Sequence, residues 1–227
     1  MKVLLIHIKE LLQVHQNPPQ WLAGEEMGQL PILRNAWLLL NGDLIEAYGP
    51  MEEVPQGNFP KIIDCTGRIV LPTWCDSHTH IVFAGNRSGE FVARLKGMTY
   101  QEIADNGGGI LNSALTLQNT SETKLMQQAS KRLEEPQYMG TGAIEIKSGY
   151  GLPLDAEMKM LRVIQRLKNK YPLAVAATFL GAHAVPKEFA HNKQGYIDQI
   201  CHEMIPAIAK ESLASYIDVF CEQGYFS

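Results

Sequence analysis

Asp76-Ser77-His78-Thr79-His80 ends an apolar run that extends from Arg68 through Cys75, and this stretch decides how the chain is read. Histidines at i and i+2 fall on the same face of a β-strand, because strand side chains alternate. Neutral imidazole is a ligand for zinc and iron. An apolar strand ending in two co-facial imidazoles is therefore half of a metal site, and it points to a metal-dependent hydrolase. The alternative is a structural or hydrogen-bonded pair. The other half of such a site does not appear before Ser227.

Outward from this stretch the chain changes character. Before about residue 68, short apolar segments (Val3–Ile8, Ala36–Leu40, Leu44–Tyr48, Lys61–Cys65) alternate with turn formers such as Asn17-Pro18-Pro19 and Gln56-Gly57-Asn58. Asn41-Gly42-Asp43 between two apolar runs is a hairpin signal. Residues 1–68 thus read as a small β-domain. From Ile69 onward strands and helices alternate, with strands expected at Ile69–Ile81, Gly142–Lys147, Ala174–Leu180 and Tyr216–Cys221. Thr120 or Ser121 can cap a helix reaching about Glu135, with Leu125, Ala129 and Leu133 inward. Asp155 can cap a second through Lys168, with Met158, Leu161, Ile164 and Leu167 inward. A third spans Tyr196 to Leu213 with Ile197, Ile200, Met204 and Ile208 inward, and Pro206 should kink or break it.

Strands alternating with helices imply a parallel sheet. Polar residues gather just after the strands, as in a (β/α) barrel whose site forms at the C-terminal strand ends. Four strands are visible, where eight close such a barrel. The expected architecture is α/β: residues 69–227 form the first half of a barrel, preceded by the small β-domain.

The bulk numbers exclude several classes. The chain has 227 residues, 45% hydrophobic and 19% charged, with 20 basic and 24 acidic side chains and a net charge of −4. It carries no run of five like charges, so neither nucleic acid nor an anionic membrane surface is expected as a partner. No segment approaches the apolar length of a membrane span, and the brief run Val3–Ile6 does not read as a signal peptide. Cys65, Cys75, Cys201 and Cys221 form no Cys-x-x-Cys pair and read as buried, reduced thiols, so a cytoplasmic location is expected.

Other chemistry-bearing side chains cluster after the strands. Arg87 follows His80 in a loop that starts at the site end, where a guanidinium can take a carboxylate bidentately; the alternative is a solvated loop arginine. His183 ends the third barrel strand, as a ligand, a hydrogen-bond donor, a proton-transfer group or a satisfied polar histidine. Tyr150, between Gly149 and Gly151, is placed to hydrogen-bond a ligand or to cap the barrel. Glu145 and Lys147 form an ion pair inside the barrel or point at the site. Gly107-Gly108-Gly109 lacks the Lys-Ser/Thr of a phosphate loop and reads as a flexible loop or lid. His7, His15, His191 and His202 read as surface or structural residues.

Taken together, these segments resemble the amidohydrolase superfamily, and within it the imidazolonepropionase family. The matching runs are His78 through Arg87, Gly107 through Leu111, Glu145 through Leu152, Thr178 through His183 and Asp218 through Glu222. The resemblance covers about Ile63 to Ser227. The His-x-His is generic to the superfamily; Gly-Asn-Arg, Lys-Ser-Gly-Tyr-Gly and Phe-Leu-Gly-Ala-His in this order are far more specific.

The resemblance implies the N-terminal half of a metal-dependent-hydrolase (β/α)8 TIM-like barrel. The implied reaction is hydrolytic ring opening of 4-imidazolone-5-propanoate to N-formimidoyl-L-glutamate in histidine degradation. It implies one zinc or iron ion held by His78 and His80, and Arg87 on the propionate carboxylate. Tyr150 and His183 would contact substrate, with His183 also polarising the ring carbonyl as a catalytic group. A homodimer is the candidate assembly. Thr73 departs from the family, which has glycine there. A third metal-binding histidine, an aspartate, a glutamate and the closing strands of the small β-domain are absent from this sequence. The chain is accordingly expected to be the N-terminal part of a longer enzyme, inactive alone, with open sheet edges. The rival readings are another cyclic-amide amidohydrolase or deaminase, and a non-catalytic fragment or pseudoenzyme.

Overall fold

The computed structural model describes every residue except 16, 100, 101, 104, 105, 224 and 227. It divides into two compact units, Met1–Pro72 and Thr73–Ser227.

The first unit is a sheet of β1 (Lys2–Leu12), β2 (Ile32–Asn41), β3 (Leu44–Pro50), β4 (Lys61–Asp64) and β5 (Ile69–Val70). The order is β3-β2-β1-β4, with β5 also pairing β1. The expected hairpin joins β2 to β3, and Gly42 supplies the positive φ of 60° that its tight turn requires. Strand alternation, with a register shift in β1 between Leu5 and Ile8, divides the apolar side chains between two faces. Ile8, Ala36 and Leu38 pack on one, and Leu4, Trp37 and Leu39 on the other.

The second unit is a curled parallel sheet, half of a barrel. It contains β6 (Trp74–Thr79), β7 (Thr141–Lys147), β8 (Ala174–Ala182) and β9 (Tyr216–Val219), in that order. Its helices are α1 (Ser88–Leu95), α2 (Gly109–Gln118), α3 (Glu122–Tyr138), α4 (Leu154–Lys170), α5 (Lys193–Gln199) and α6 (Ile205–Lys210). The core lies between β7 and β8 and the inward faces of α3 and α4. Leu125, Ala129 and Leu133 meet Leu161, Ile164 and Leu167, all fully buried. Each such aliphatic side chain withdrawn from water contributes about 1.5–3 kcal/mol. The Ser121 side chain caps α3 through Lys124 N–H, as expected.

Several expectations need correction. The strand expected over Ile69–Ile81 is two strands. Ile69 and Val70 pair with Glu10 and Leu11 in the first sheet, and β6 starts only at Trp74. Leu71-Pro72-Thr73 separates them, and Pro72 has no N–H to give a ladder. Nor is β6 buried: it is an edge strand, and its residues are exposed up to His78. Asp155 does not cap α4; the cap position is Pro153, with no side-chain bond, and Asp155 lies in the first turn. Only Cys65 is buried. Cys75, Cys201 and Cys221 are exposed, Cys75 because it lies on edge strand β6 and Cys221 because it follows edge strand β9.

The third expected helix does not break at Pro206: α5 runs through a π turn, Ile200–Met204, directly into α6, and the wider turn stands immediately before Pro206, which lies in the first turn of α6. Tyr196, Ile200, Met204 and Ile208 are its buried face, with Ile197 only half-buried. The family departure at Thr73 has a local rationale. A Cβ on Gly142 would stand 2.1 Å from the Thr73 hydroxyl oxygen, so the Thr73 side chain lies in the space that Gly142 leaves free.

Candidate active site at the strand ends

The C-terminal ends of β6, β7 and β8 bring four aromatic rings together. The His80 centroid lies 5.5 Å from that of His78, 5.3 Å from Tyr150 and 5.4 Å from His183, the last pair stacked. Tyr150 and His183 are themselves 5.4 Å apart. The Arg87 guanidinium stands 5.7 Å over the Tyr150 ring, and its Nε donates to Ser113 Oγ at 3.0 Å. All five residues singled out in the sequence therefore meet in one cluster. Phe220 closes one side, 5.9 Å edge-on from His183.

Burial disfavours the charged forms of His80 and His183. It pulls His80 down to about 4, aided by repulsion from His183 and His78 and opposed by a backbone bond at Ser148. Burial also lowers His183, opposed by its bond to the Gly149 carbonyl. A neutral imidazole is the form that ligates a metal. His80 Nδ1 is buried and has no hydrogen-bond partner among the described residues. That orphaned nitrogen and the adjacent His78 fit one side of a metal site. Among the described residues, no group of three or more His, Cys, Asp or Glu side chains is arranged to hold an ion.

Glu145 and Lys147 resolve as an ion pair extended by a third group. Lys147 Nζ lies 2.7 Å from Glu145 Oε1 and 3.0 Å from Asp218 Oδ2, which ties β7 to β9 across β8. Desolvation works against the charge on Lys147, yet bonds to Glu145 and Asp218 raise its pKa overall. The Gly107–Gly109 segment runs into α2, whose first residue is Gly109, and Glu90 Oε1 accepts the Gly109 N–H at 2.9 Å.

Three residues that sequence reasoning missed hold the strand-end loops from behind. Arg132 on α3 donates to the carbonyls of Ile81 and Phe83 at 3.0 and 2.9 Å, with its guanidinium 3.5 Å over the Phe83 ring. The buried Tyr196 hydroxyl faces the carbonyls of Leu152 and Gly181 at 2.8 and 3.0 Å. Glu157 on α4 accepts N–H groups from Gly149, Gly151 and Leu152. Burial pushes the Glu157 carboxyl up, against the Ser148 hydroxyl and those N–H donors. The signal for Glu157 was an acid at the fourth position of a helix that follows a glycine-rich turn.

The glycines around Tyr150 are required by space. A Cβ at Gly149, whose φ is +100°, would come within 2.8 Å of His183 Nδ1. One at Gly151 would come within 2.5 Å of the backbone of Ala156 and Glu157.

Comparison with known proteins places this geometry. No family model matches the chain. Curated proteins do. The imidazolonepropionase of Christiangramia forsetii is 55% identical over 227 residues, all of this chain and 55% of that protein. That of Flavobacterium psychrophilum is 57% identical with the same coverage, and that of Pseudomonas fluorescens 46% over 206 residues. The chain thus spans about half the length of the curated relatives it matches. Among solved structures, a triazine hydrolase variant superposes with a TM-score of 0.55 at 15% identity, over 93% of this chain and 41% of that one. A guanine deaminase from C. acetobutylicum gives 0.52 at 13%, over 96% and 46%. At such identities these neighbours bear on the fold alone, and they are barrel enzymes of the amidohydrolase type. Identity of 46–57% over most or all of the chain makes it a relative in sequence of the imidazolonepropionases, matched over about half their length.

Proposed function

We propose that this chain supplies the histidine-bearing half of an imidazolonepropionase, which opens the ring of 4-imidazolone-5-propanoate by hydrolysis to give N-formimidoyl-L-glutamate. The observation that carries the reading is the contact of His80, Tyr150 and His183 at three successive strand ends, with Arg87 over the Tyr150 ring. The names of relatives 46–57% identical support it.

His78 and His80 would hold a zinc or iron ion, in keeping with the orphaned Nδ1 of His80. When bound, such an ion lowers the pKa of water and polarises a carbonyl; a relative in fold, the atrazine chlorohydrolase of Arthrobacter aurescens TC1, is described as complexed with zinc (TM-score 0.51). Arg87 is held by Ser113 and stacks towards Tyr150, so its outer N–H groups are left to pair with the propionate carboxylate. Tyr150 packs beside the ring and offers its hydroxyl to it. His183 has its Nδ1 engaged by the Gly149 carbonyl at 2.9 Å, which leaves Nε2 as the nitrogen that meets substrate. In that role it accepts a proton at Nε2 and, once protonated there, returns it.

The test is complementation. The chain is expressed with the C-terminal half of the Christiangramia forsetii protein and assayed for turnover of imidazolonepropionate and for metal content. Turnover with about one ion per pair is expected, both lost in His80→Ala. Turnover of dihydroorotate or a hydantoin instead, or metal retained in His80→Ala, would overturn the reading.

A further inference from the structure

We propose that Glu157 is the positioning residue of the strand-end cluster: its carboxylate gathers the loop after β7 so that Tyr150 and His183 are presented together. The proposal rests on the reading of those two residues as substrate groups.

Glu157 is fully buried on the first turn of α4. Its Oε1 accepts the N–H of Gly151 at 2.7 Å and of Leu152 at 2.9 Å, and Oε2 accepts the N–H of Gly149 at 3.0 Å. The Ser148 hydroxyl also bonds it, while accepting the Leu180 N–H at 3.0 Å. The residues on either side of Tyr150 are therefore fixed to one carboxylate. The connection reaches His183 because the Gly149 carbonyl engages its Nδ1. Leu152 makes the tethering necessary. Its φ of 69° is a left-handed conformation that a leucine seldom adopts. That backbone is held on one side by Glu157 and on the other by the Tyr196 hydroxyl on the Leu152 carbonyl.

Every backbone contact of Glu157 is a donor facing it. A carboxylate satisfies them all, whereas an amide of the same shape must turn an NH2 against an N–H or give up an acceptor. Glu157→Gln is thus the discriminating substitution. Ile164→Val, buried on the same helix but remote from the loop, is the control for a mere loss of helix stability.

The experiment is amide hydrogen exchange with nitrogen-15 histidine NMR on the whole chain. In the unsubstituted protein, the amides of Gly149, Gly151 and Leu152 should exchange as slowly as those of β8. His183 should show a single tautomer with its proton on Nδ1. In Glu157→Gln, exchange at the three amides should rise about tenfold to hundredfold relative to β8, as the loss of a charge-assisted bond implies. The His183 signal should become a mixture of tautomers. Ile164→Val should change neither. Retained protection and tautomer in Glu157→Gln, or equal losses in Ile164→Val, would overturn the proposal. If Glu157→Gln does not fold, the unsubstituted protein decides: rapid exchange at those amides, or a proton on Nε2 of His183, refutes it. Absence of imidazolonepropionate turnover in the complementation assay would sink the functional reading and leave these signatures in place, so the two failures are separable.

Discussion

The inner and outer strands of the half-barrel differ in how they are covered and held. β7 and β8 are covered by α3 and α4, and their site ends are tied down by Glu157 and Tyr196. β6 and β9 are the sheet edges, with Trp74 60% and Ile217 56% exposed. Yet β6 carries His78, and His80 follows directly behind it. The lesson is that chemical signal and mechanical support come from different strands. The inner pair sets positions, while an edge strand contributes the two histidines and borrows its order from Thr79 Oγ1 on the Glu145 carbonyl and Arg132 on the loop behind it.

The contrast can be tested from its strong side to its weak side. Leu161→Ala empties a fully buried site between α4 and the inner strands. It should cost about 2–5 kcal/mol, read as a lower urea midpoint with unchanged slope. Lys147→Met is next. It leaves Glu145 and Asp218 without their shared cation and should cost about 3 kcal/mol. Asp218→Asn should cost under about 1 kcal/mol, because that carboxylate is partly solvated. Equal costs would mean that β9 is held as firmly as β7.

The same network sets an acid limb. The Lys147 bond holds Asp218 below its ordinary 3.8. For Glu145 the bonds from Lys147 and Thr178 outweigh desolvation and hold it below 4.5. The stability they confer is complete above those ordinary values and is lost as pH falls through the lower folded ones. The fall in urea midpoint below about pH 4.5 should therefore flatten in Lys147→Met. Last, Ile217→Ser on exposed β9 should change stability by less than about 0.5 kcal/mol while reducing self-association in sedimentation. A large loss would show that the edge is packed.

The inner strands and the inward faces of α3 and α4 were legible in the sequence, because alternation and the spacing of Leu125, Ala129 and Leu133 are set by burial. That His78, His80, Arg87, Tyr150 and His183 would lie near one another was legible because each stands at a strand end or in the loop after one. The edges were harder. Ile69 and Trp74 look like one strand, since apolar content does not reveal which sheet a strand joins; only Pro72 between them pointed to the break. Glu157 was missed because an acid in a first helical turn ordinarily answers the helix dipole. Its partners are backbone N–H groups, which leave no mark in composition. Lys147 and Asp218 are 71 residues apart, and their pairing follows from sheet order alone.

The π turn before Pro206 has a geometric consequence of its own. Tyr196, Ile200, Met204 and Ile208 recur strictly every fourth residue, and all four are buried. At 3.6 residues per turn, such a stripe drifts about 40° per step, so Ile208 would stand about 120° away from Tyr196. The wider turn over Ile200–Met204 absorbs one residue, about 100° of that winding. The inserted residue therefore acts as a phase correction, keeping a period-four pattern on one bearing. Deleting a single residue there would restore ideal winding and, with Tyr196 and Ile208 then eleven residues apart, leave Ile208 within about 20° of Tyr196.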